Sequence, residues 1–453
     1  MALRIGLSEK RGFLIKRRRF PKIFFGWWTV LAGGIINFWG LGYHLYGISA
    51  VFKPIASELG FSRAATSVAV AITRLLSGIE GPLTGVLTDR FGPKWVTFFG
   101  VFLLGLGLIL TYSINSLWTF YIAWGVIMGT GGNIALMIPL DKAIGDWFVK
   151  KRGLAQGIRW VFRGLAGVLV LPLIVWLIVT QGWRMTCLIG GTVMLVVGLP
   201  LAFFYFKRYR PEYYGLLPDG ATVGEEEVTD TGRMIDRGVE YAAEVEEVEF
   251  TLRQAARTPA YWLLIVVSAV HAFSTTAIIT HSIPFFTDIG IDILRAAGIL
   301  ALMALVSIPS RFIGGLITDR FEKQHLRFLM GITCLLEAVG MAVFLLNPTT
   351  AMVYVWFILR GIGTGGTLVL TSLLRARYFG RKALGSIGGF SSMFLTPLAM
   401  AAPVYIGWVH DTTGSYMSAF ILLAALLAFS AVIACCAVPP KPPSQVTDTL
   451  NIV

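Results

Sequence analysis

Long stretches without charge decide most of what this chain is able to fold into. Between Lys22 and Lys53 no acidic or basic residue occurs apart from His44. The stretches 95–113, 185–206 and 416–438 hold no Asp, Glu, Lys or Arg. Crossing a bilayer as a helix takes about 20 consecutive apolar residues. Reading on in this way predicts twelve spanning segments, at about 24–52, 62–87, 95–113, 117–141, 153–180, 183–206, 259–287, 294–318, 326–346, 350–377, 382–410 and 415–438. Charged residues make up only 14% of the chain, where soluble domains carry about 25%. Lipid is therefore the expected solvent for most of this surface.

The formal net charge is +13, a value that elsewhere would suggest a nucleic-acid partner. Here the basic residues gather at a few junctions between apolar runs, as membrane topology requires. With the N-terminus inside, the inner loops carry Arg90 and Lys94, Lys150 to Arg152, Arg320, Lys323 and Arg327, and Arg375 to Lys382. The outer loops carry only Lys53, Arg63, Arg184 and Arg295. Both termini are thus expected in the cytoplasm, with the chain multi-pass in the plasma (cell inner) membrane. The first 22 residues hold eight basic residues, and the apolar run behind them is too long for a signal-peptide core of about 7–15 residues. Cys187, Cys334, Cys435 and Cys436 sit in apolar runs without ligand partners at metal spacing.

The sequence divides into a basic tail over 1–22, a first six-helix bundle over 23–207, a polar linker over 208–258, a second bundle over 259–438 and a tail over 439–453. The linker is acidic around Glu225–Glu227 and Glu244–Glu249. Its end, Thr251 to Arg257, is suited to a short surface helix before Pro259 opens the seventh segment. The two bundles repeat. Gly85-Val-Leu-Thr-Asp89-Arg90-Phe returns as Gly315-Leu-Ile-Thr-Asp319-Arg320-Phe, 230 residues later. Gly129-Thr-Gly-Gly132 returns as Gly363-Thr-Gly-Gly366, and Lys151-Arg152 as Arg381-Lys382. Duplicated bundles with a substrate site between them are a recurring transporter architecture.

The run Gly85-Val-Leu-Thr-Asp89-Arg90-Phe-Gly92-Pro-Lys94 resembles the signature loop between helices 2 and 3 of the major facilitator superfamily. The resemblance covers about 22–438. It implies an all-α membrane protein of twelve transmembrane helices in two pseudo-symmetric six-helix bundles. It also implies gating roles for Asp89 and Arg90 and for their repeats Asp319 and Arg320, with Asp89 meeting a helix N-terminus across the boundary in one state only.

Ionisable residues inside a membrane are costly, which makes them functional candidates. Here they are His44, Arg74, Glu80, Arg159, Arg163, His271, His281, Arg311, Glu337 and Arg360. Arginine outnumbers carboxylate five to two, and a buried guanidinium without an anion is unfavourable. A bound carboxylate would relieve it through two parallel hydrogen bonds. Arg159 and Arg163 are four apart and share a helix face. Arg159 is expected to snorkel to the inner headgroups, and Arg163 is open to either role. Glu337 and Arg360 sit at matched depth and are expected to form a structural pair. His281, near Pro284, is expected at an outer gate or in a structural role.

Ser307-Ile-Pro309-Ser310-Arg311-Phe-Ile-Gly-Gly resembles helix 8 of the monocarboxylate transporter family, and Phe25-Gly26-Trp27-Trp28 resembles the opening of its helix 1. That resemblance implies that Arg311 anchors a substrate carboxylate and that Asn133 lines the cavity. Two positions depart from it. An acidic residue one turn before the arginine is Ser307 here, and a helix 1 lysine falls at Tyr46, near His44. Bacterial oxalate–formate exchangers form a second resemblance, but their helix 11 lysine has no counterpart in Leu384–Trp408. A strict dicarboxylate clamp of that type is not supported.

The function expected is alternating-access secondary transport of a small carboxylate, monocarboxylate-like. Arg311, Arg163, Asn133, His44 and Tyr46 are its contacts, and Glu80 or His44 carries a coupling proton. The expected partners are the substrate and the bilayer, with a single chain sufficient. No phosphate-cradling Gly-Lys-Ser/Thr loop and no His-Glu-x-x-His motif occurs, so no cofactor, metal or enzymatic activity is expected. A drug exporter on the same fold would call for acidic residues in the cavity. A non-transporting receptor would use the acidic linker.

Overall fold

The computed structural model describes residues 23–221, 231–244 and 247–442. The basic tail 1–22, Glu225–Glu227 and the end of the C-terminal tail lie outside them. Twelve helices cross the molecule. α1 joins Phe25–Leu41, a π-helical turn over Gly42–Gly47, and Ile48–Leu59. α2 is Arg63–Phe91 and α3 is Pro93–Thr111. α4 joins Leu117–Phe120, a π-turn over Tyr121–Met128, Gly129–Ala135 and Ile138–Trp147. α5 spans 152–181 with a π-turn at Ala166–Val170, and α6 spans 183–205. The second half holds α7 Pro259–Asp288, α8 Ile293–Thr318, α9 Leu326–Leu346, α10 Thr350–Phe379, α11 Leu384–Thr413 and α12 Met417–Cys436.

Composition explains which helices stand out. Among the described residues, nine helical stretches are long and apolar enough to cross a bilayer. One of them, Arg152–Tyr205, is folded into α5 and α6 at Gly182, whose φ of 79° suits glycine alone. α1 is interrupted by its π-turn, and α2 carries Arg74, Glu80 and several hydroxyl side chains. Those two helices gain their place by packing.

Each half has its own apolar core. Tyr43, Leu104, Trp124, Leu136 and Trp183 are buried in the first. Phe285, Phe286, Phe344, Trp356 and Phe420 form an aromatic cluster in the second. The halves meet where α2 packs on α11 and α5 on α8. Glycines let these backbones touch: a Cβ at Gly85 would overlap the Gly385 carbonyl, and one at Gly315 would overlap that of Gly153.

One end of the bundle is closed by reciprocal carboxylates. Asp89, at the end of α2, accepts from the backbone N–H groups of Gly385 (3.1 Å) and Ser386 (2.7 Å) at the start of α11. Asp319, just after α8, accepts from Gly153 (2.6 Å) and Leu154 (2.8 Å) at the start of α5. Each half thus supplies a negative charge to the positive helix end of the other. Burial lifts the Asp319 carboxyl to about 6, although the two amide donors pull the other way.

The linker packs over this same end. Glu212 meets Arg381 at 2.9 Å, and Glu247 meets Arg152 at 3.0 Å and Arg381 at 3.4 Å. Arg152 and Arg381 come from opposite halves and are both buried. Asp219 accepts from the backbone N–H groups of Val149, Lys150 and Lys151, ahead of α5. The helix Thr231–Ala243 lies over the same end, with Tyr241 donating to Asp219 at 3.1 Å. A capping box on Thr251 starts the short helix Leu252–Ala255 before Pro259 opens α7, as the sequence predicts. The polar segment is therefore a structured strap as well as a tether.

In the second half, Glu337 of α9 is fully buried and meets Arg360 of α10 at 3.0 Å and His271 of α7 at 3.1 Å. Arg360 also donates to Ser274 and Thr275 at 3.2 Å each. Removing one partner of such a pair costs about 3–5 kcal/mol, because the other charge stays buried. Glu337→Gln is expected to lower the unfolding temperature of the purified protein by several degrees. An unchanged melting curve would show that water already solvates this pair. At the strap, Glu247→Gln removes the carboxylate shared by Arg152 and Arg381. In a background lacking the native cysteines, it is expected to speed thiol labelling of Thr318→Cys, a position now buried at the α5–α8 contact. Equal labelling rates would rule out a contribution of the strap to closure.

Candidate functional site

The closed end gives way, toward the middle of the molecule, to a cluster built by α1, α2, α4, α5 and α8. Three π-turns shape it. A π-turn holds one residue more than an α-turn and shifts the side chains that follow. The turn in α1 carries Tyr43, His44 and Tyr46. Tyr43 points away and donates to the Thr186 carbonyl of α6 at 3.1 Å. His44 lies against α4, where a methyl group at Gly132 would overlap its ring, and its Nδ1 is buried without a well-formed hydrogen bond although Asn133 is alongside. Tyr46 lies against α5, where a Cβ at Gly167 would sit 3.2 Å from its ring.

Arg311 reaches from α8 into this cluster. It is 7% exposed, and its Nη1 donates to the Trp160 carbonyl of α5 at 3.0 Å. Its Nε is buried without a partner. Room for the guanidinium comes from Gly164, where a side chain would overlap Nη1. Arg163 of α5 lies one turn beyond Arg159, half-buried, against the Tyr46 hydroxyl and over the Trp160 ring at 5.1 Å. Its charge and the Tyr46 hydroxyl both act on Arg311. Arg74 of α2 joins from the other side, near enough for its charge to act on His44 and Arg163. The sequence places Arg74 inside the membrane, and Glu80, six residues on, does not share its helix face, so no partner for it is visible there. The link to Arg163 comes from the packing of α2 beside α1, α4 and α5.

Other expectations need correction. Arg159 does not snorkel to headgroups. It is fully buried, pairs with Asp141 of α4 and donates to Gln156 at 2.9 Å. Asp141 falls at the predicted edge of the fourth segment, so its charge is easily left out of the count of intramembrane anions. Asn133 does not present its amide N–H to an open cavity. It donates to Glu80 at 3.0 Å and to the Thr73 carbonyl at 3.2 Å. Glu80 also accepts from Thr130, so both donors to this carboxylate are neutral. His281, expected at an outer gate or in a structural role, contacts the Pro403 carbonyl of α11 at 2.9 Å.

At the closed end, Asp89 and Asp319 make the contacts described above, while Arg90 and Arg320 are exposed and join none of them. Lys142 and Asp146, at the end of α4, are further participants. Lys142 lies 3.6 Å from Asp89 and 3.2 Å from Asp146 and donates to the Arg381 carbonyl. An i,i+4 Lys–Asp spacing is their only trace in the sequence.

Comparison with known proteins fits this architecture. The profile of the Major Facilitator Superfamily matches residues 30–396. Monocarboxylate transporter 12 of Xenopus laevis is 24% identical over 400 residues, covering 85% of this chain and 83% of its own. The probable sulfoacetate transporter SauU of Cupriavidus necator is 25% identical over 369 residues, covering 77% and 79%. Among solved structures, the E. coli fucose:proton symporter FucP superposes with a TM-score of 0.68 at 13% identity, covering 90% of this chain and 98% of its own. With the profile spanning most of the chain and the repeated signature loops seated at the boundary between halves, the chain belongs to the Major Facilitator Superfamily.

Proposed function

We propose that this protein carries small organic anions across the membrane by alternating access, with Arg311 as the anchor for a carboxylate. One observation carries the reading. Arg311 is buried, has a single protein acceptor, and has no carboxylate within ion-pair distance among the described residues. A guanidinium so placed is stabilised by an anion that accepts from its free face. Arg163 and Tyr46 stand beside it and complete the contact. The names of the relatives, a monocarboxylate transporter and a probable sulfoacetate transporter, agree with an anionic cargo.

The basic-loop asymmetry assigns the closed, linker-covered end to the cytoplasm, with both termini there, in the plasma membrane. The site then faces outward in this conformation. Inward opening requires the bundles 23–207 and 259–438 to rock apart at this end, releasing Asp89 from α11 and Asp319 from α5. One chain contains the whole site and suffices as the transporting unit. A coupling proton is assigned to Glu80, a carboxylate held by Thr130 and Asn133 with no cation paired to it among the described residues.

Uptake of a labelled acid into proteoliposomes tests the anchor. Arg311→Ala is expected to reduce uptake of every accepted acid by about a hundredfold, the effect of losing a buried charge pair. Arg311→Lys keeps the charge but not the fork and recovers only part. Full uptake by both variants would refute the assignment. For the proton, an inward-directed pH gradient is expected to stimulate uptake by the parent protein and to have no effect on Glu80→Gln. Stimulation that persists in that variant would place the proton elsewhere.

A further inference from the structure

The arginines inside the bundles fall into two sets. Arg159 has Asp141, and Arg360 has Glu337. Arg74, Arg163 and Arg311 have no carboxylate within ion-pair distance among the described residues. The charge of Arg163 acts on both Arg74 and Arg311, and the Tyr46 hydroxyl stands against Arg163 and Arg311. His44 feels both Arg74 and Arg163. Glu80 is the nearby acid on α2, and its two donors are Thr130 and Asn133. Three guanidinium charges against one carboxylate leave two positive charges, or three when Glu80 is protonated. One monoanion would leave the cluster positive in a low-dielectric setting, where residual charge is unfavourable.

Position matters as much as count. Arg163 is the middle member: it acts on Arg311 toward α8 and on Arg74 toward α2. The exposed Arg74 side chain lies four and seven residues before Gly78 and Gly81, the positions at which α2 meets Thr396 and Ser392 of α11, so it is on the face of α2 turned toward the other half rather than toward lipid. We infer that the site selects dianions: short acids with an anionic group at each end, one held by Arg311 with Arg163 and the other by Arg74. The inference rests on the anion-transport reading above and narrows it. α11 offers no lysine between Leu384 and Trp408, so the second anionic group is met from α2 instead. Arg74 is thereby a specificity-determining residue, acting on the far end of the substrate.

Matched acids test this with the purified full-length protein at fixed pH and ionic strength. Binding of malonate is compared with propionate, and succinate with butyrate, by calorimetry. Each dianion is expected to bind about tenfold more tightly than its monoanion, the effect of one added charge-assisted contact. Arg74→Gln is expected to bring that ratio close to one, and Arg74→Lys to restore part of it. A wild-type ratio near one, with Arg311→Ala abolishing binding in both series, would overturn dianion selection and leave the anion reading intact. A ratio that survives Arg74→Gln would overturn the role of Arg74. No binding of either series, with or without Arg311, would overturn both.

Discussion

A guanidinium taken out of water has to be paired or left facing a cleft, and this rule organises the molecule. Arg152 and Arg381 are buried at the closed end, and linker carboxylates meet them there. Arg159 and Arg360 are buried within the two bundles, and helix carboxylates meet them. Those pairs have their anions built in, and they hold structure together. Arg74, Arg163 and Arg311 lack one, and they lie together where the halves face each other. Desolvation is complete for the first set, while in the second Arg311 is buried, Arg163 half-buried and Arg74 exposed. In the first set the compensating charge belongs to the protein; on the proposed reading, in the second it would arrive with a solute.

Closure and site share their helices. α5 supplies the Gly153 and Leu154 N–H groups that Asp319 accepts, and also Trp160 and Arg163. α8 supplies Asp319 and Arg311. Between them the backbones are in direct contact: a Cβ at Gly157 would strike the Arg311 carbonyl, and one at Gly153 would strike the Gly315 carbonyl. A slide or tilt of α5 against α8 that frees Asp319 therefore also moves the Trp160 carbonyl away from Arg311. An anion bound at Arg311, as proposed, would bias the same helix pair as the Asp319 contact, which is the physical requirement for coupling between two sites.

Much of the frame is legible in the sequence because it is written in local terms. Apolar length, basic loops and the near-constant repeat offset are visible without any knowledge of contacts. The excess of arginine over carboxylate is visible too, and it leads to Arg311 and Arg163. What stays hidden depends on partners far apart in the chain. Glu212 and Arg381 are 169 residues apart, and no periodicity connects them. Asp141 cancels Arg159 from another helix. The π-turn of α1 leaves no mark on the apolar run 24–52, yet it directs Tyr43 to α6, His44 to α4 and Tyr46 to α5. The linker reads as an acidic connection between bundles, but two of its acids, Glu212 and Glu247, are the counter-charges of the buried Arg152 and Arg381.

The repeat sets two intramembrane acids in contrasting surroundings. Gly129-Thr-Gly-Gly132 in α4 and Gly363-Thr-Gly-Gly366 in α10 each bring a threonine to an acid from a neighbouring helix. In the second half that acid is Glu337, whose Cγ lies where a side chain at Gly363 would go. Arg360 and His271 hold it from two sides. These contacts tie α9 to α10 and α7, and Glu337 serves packing. In the first half the acid is Glu80, bound by the neutral donors Thr130 and Asn133 with no cation in pairing distance among the described residues. The same motif thus holds an ion-paired acid in one bundle and an acid met by neutral donors in the other, and the latter shares α2 with Arg74 and reaches α4 beside His44.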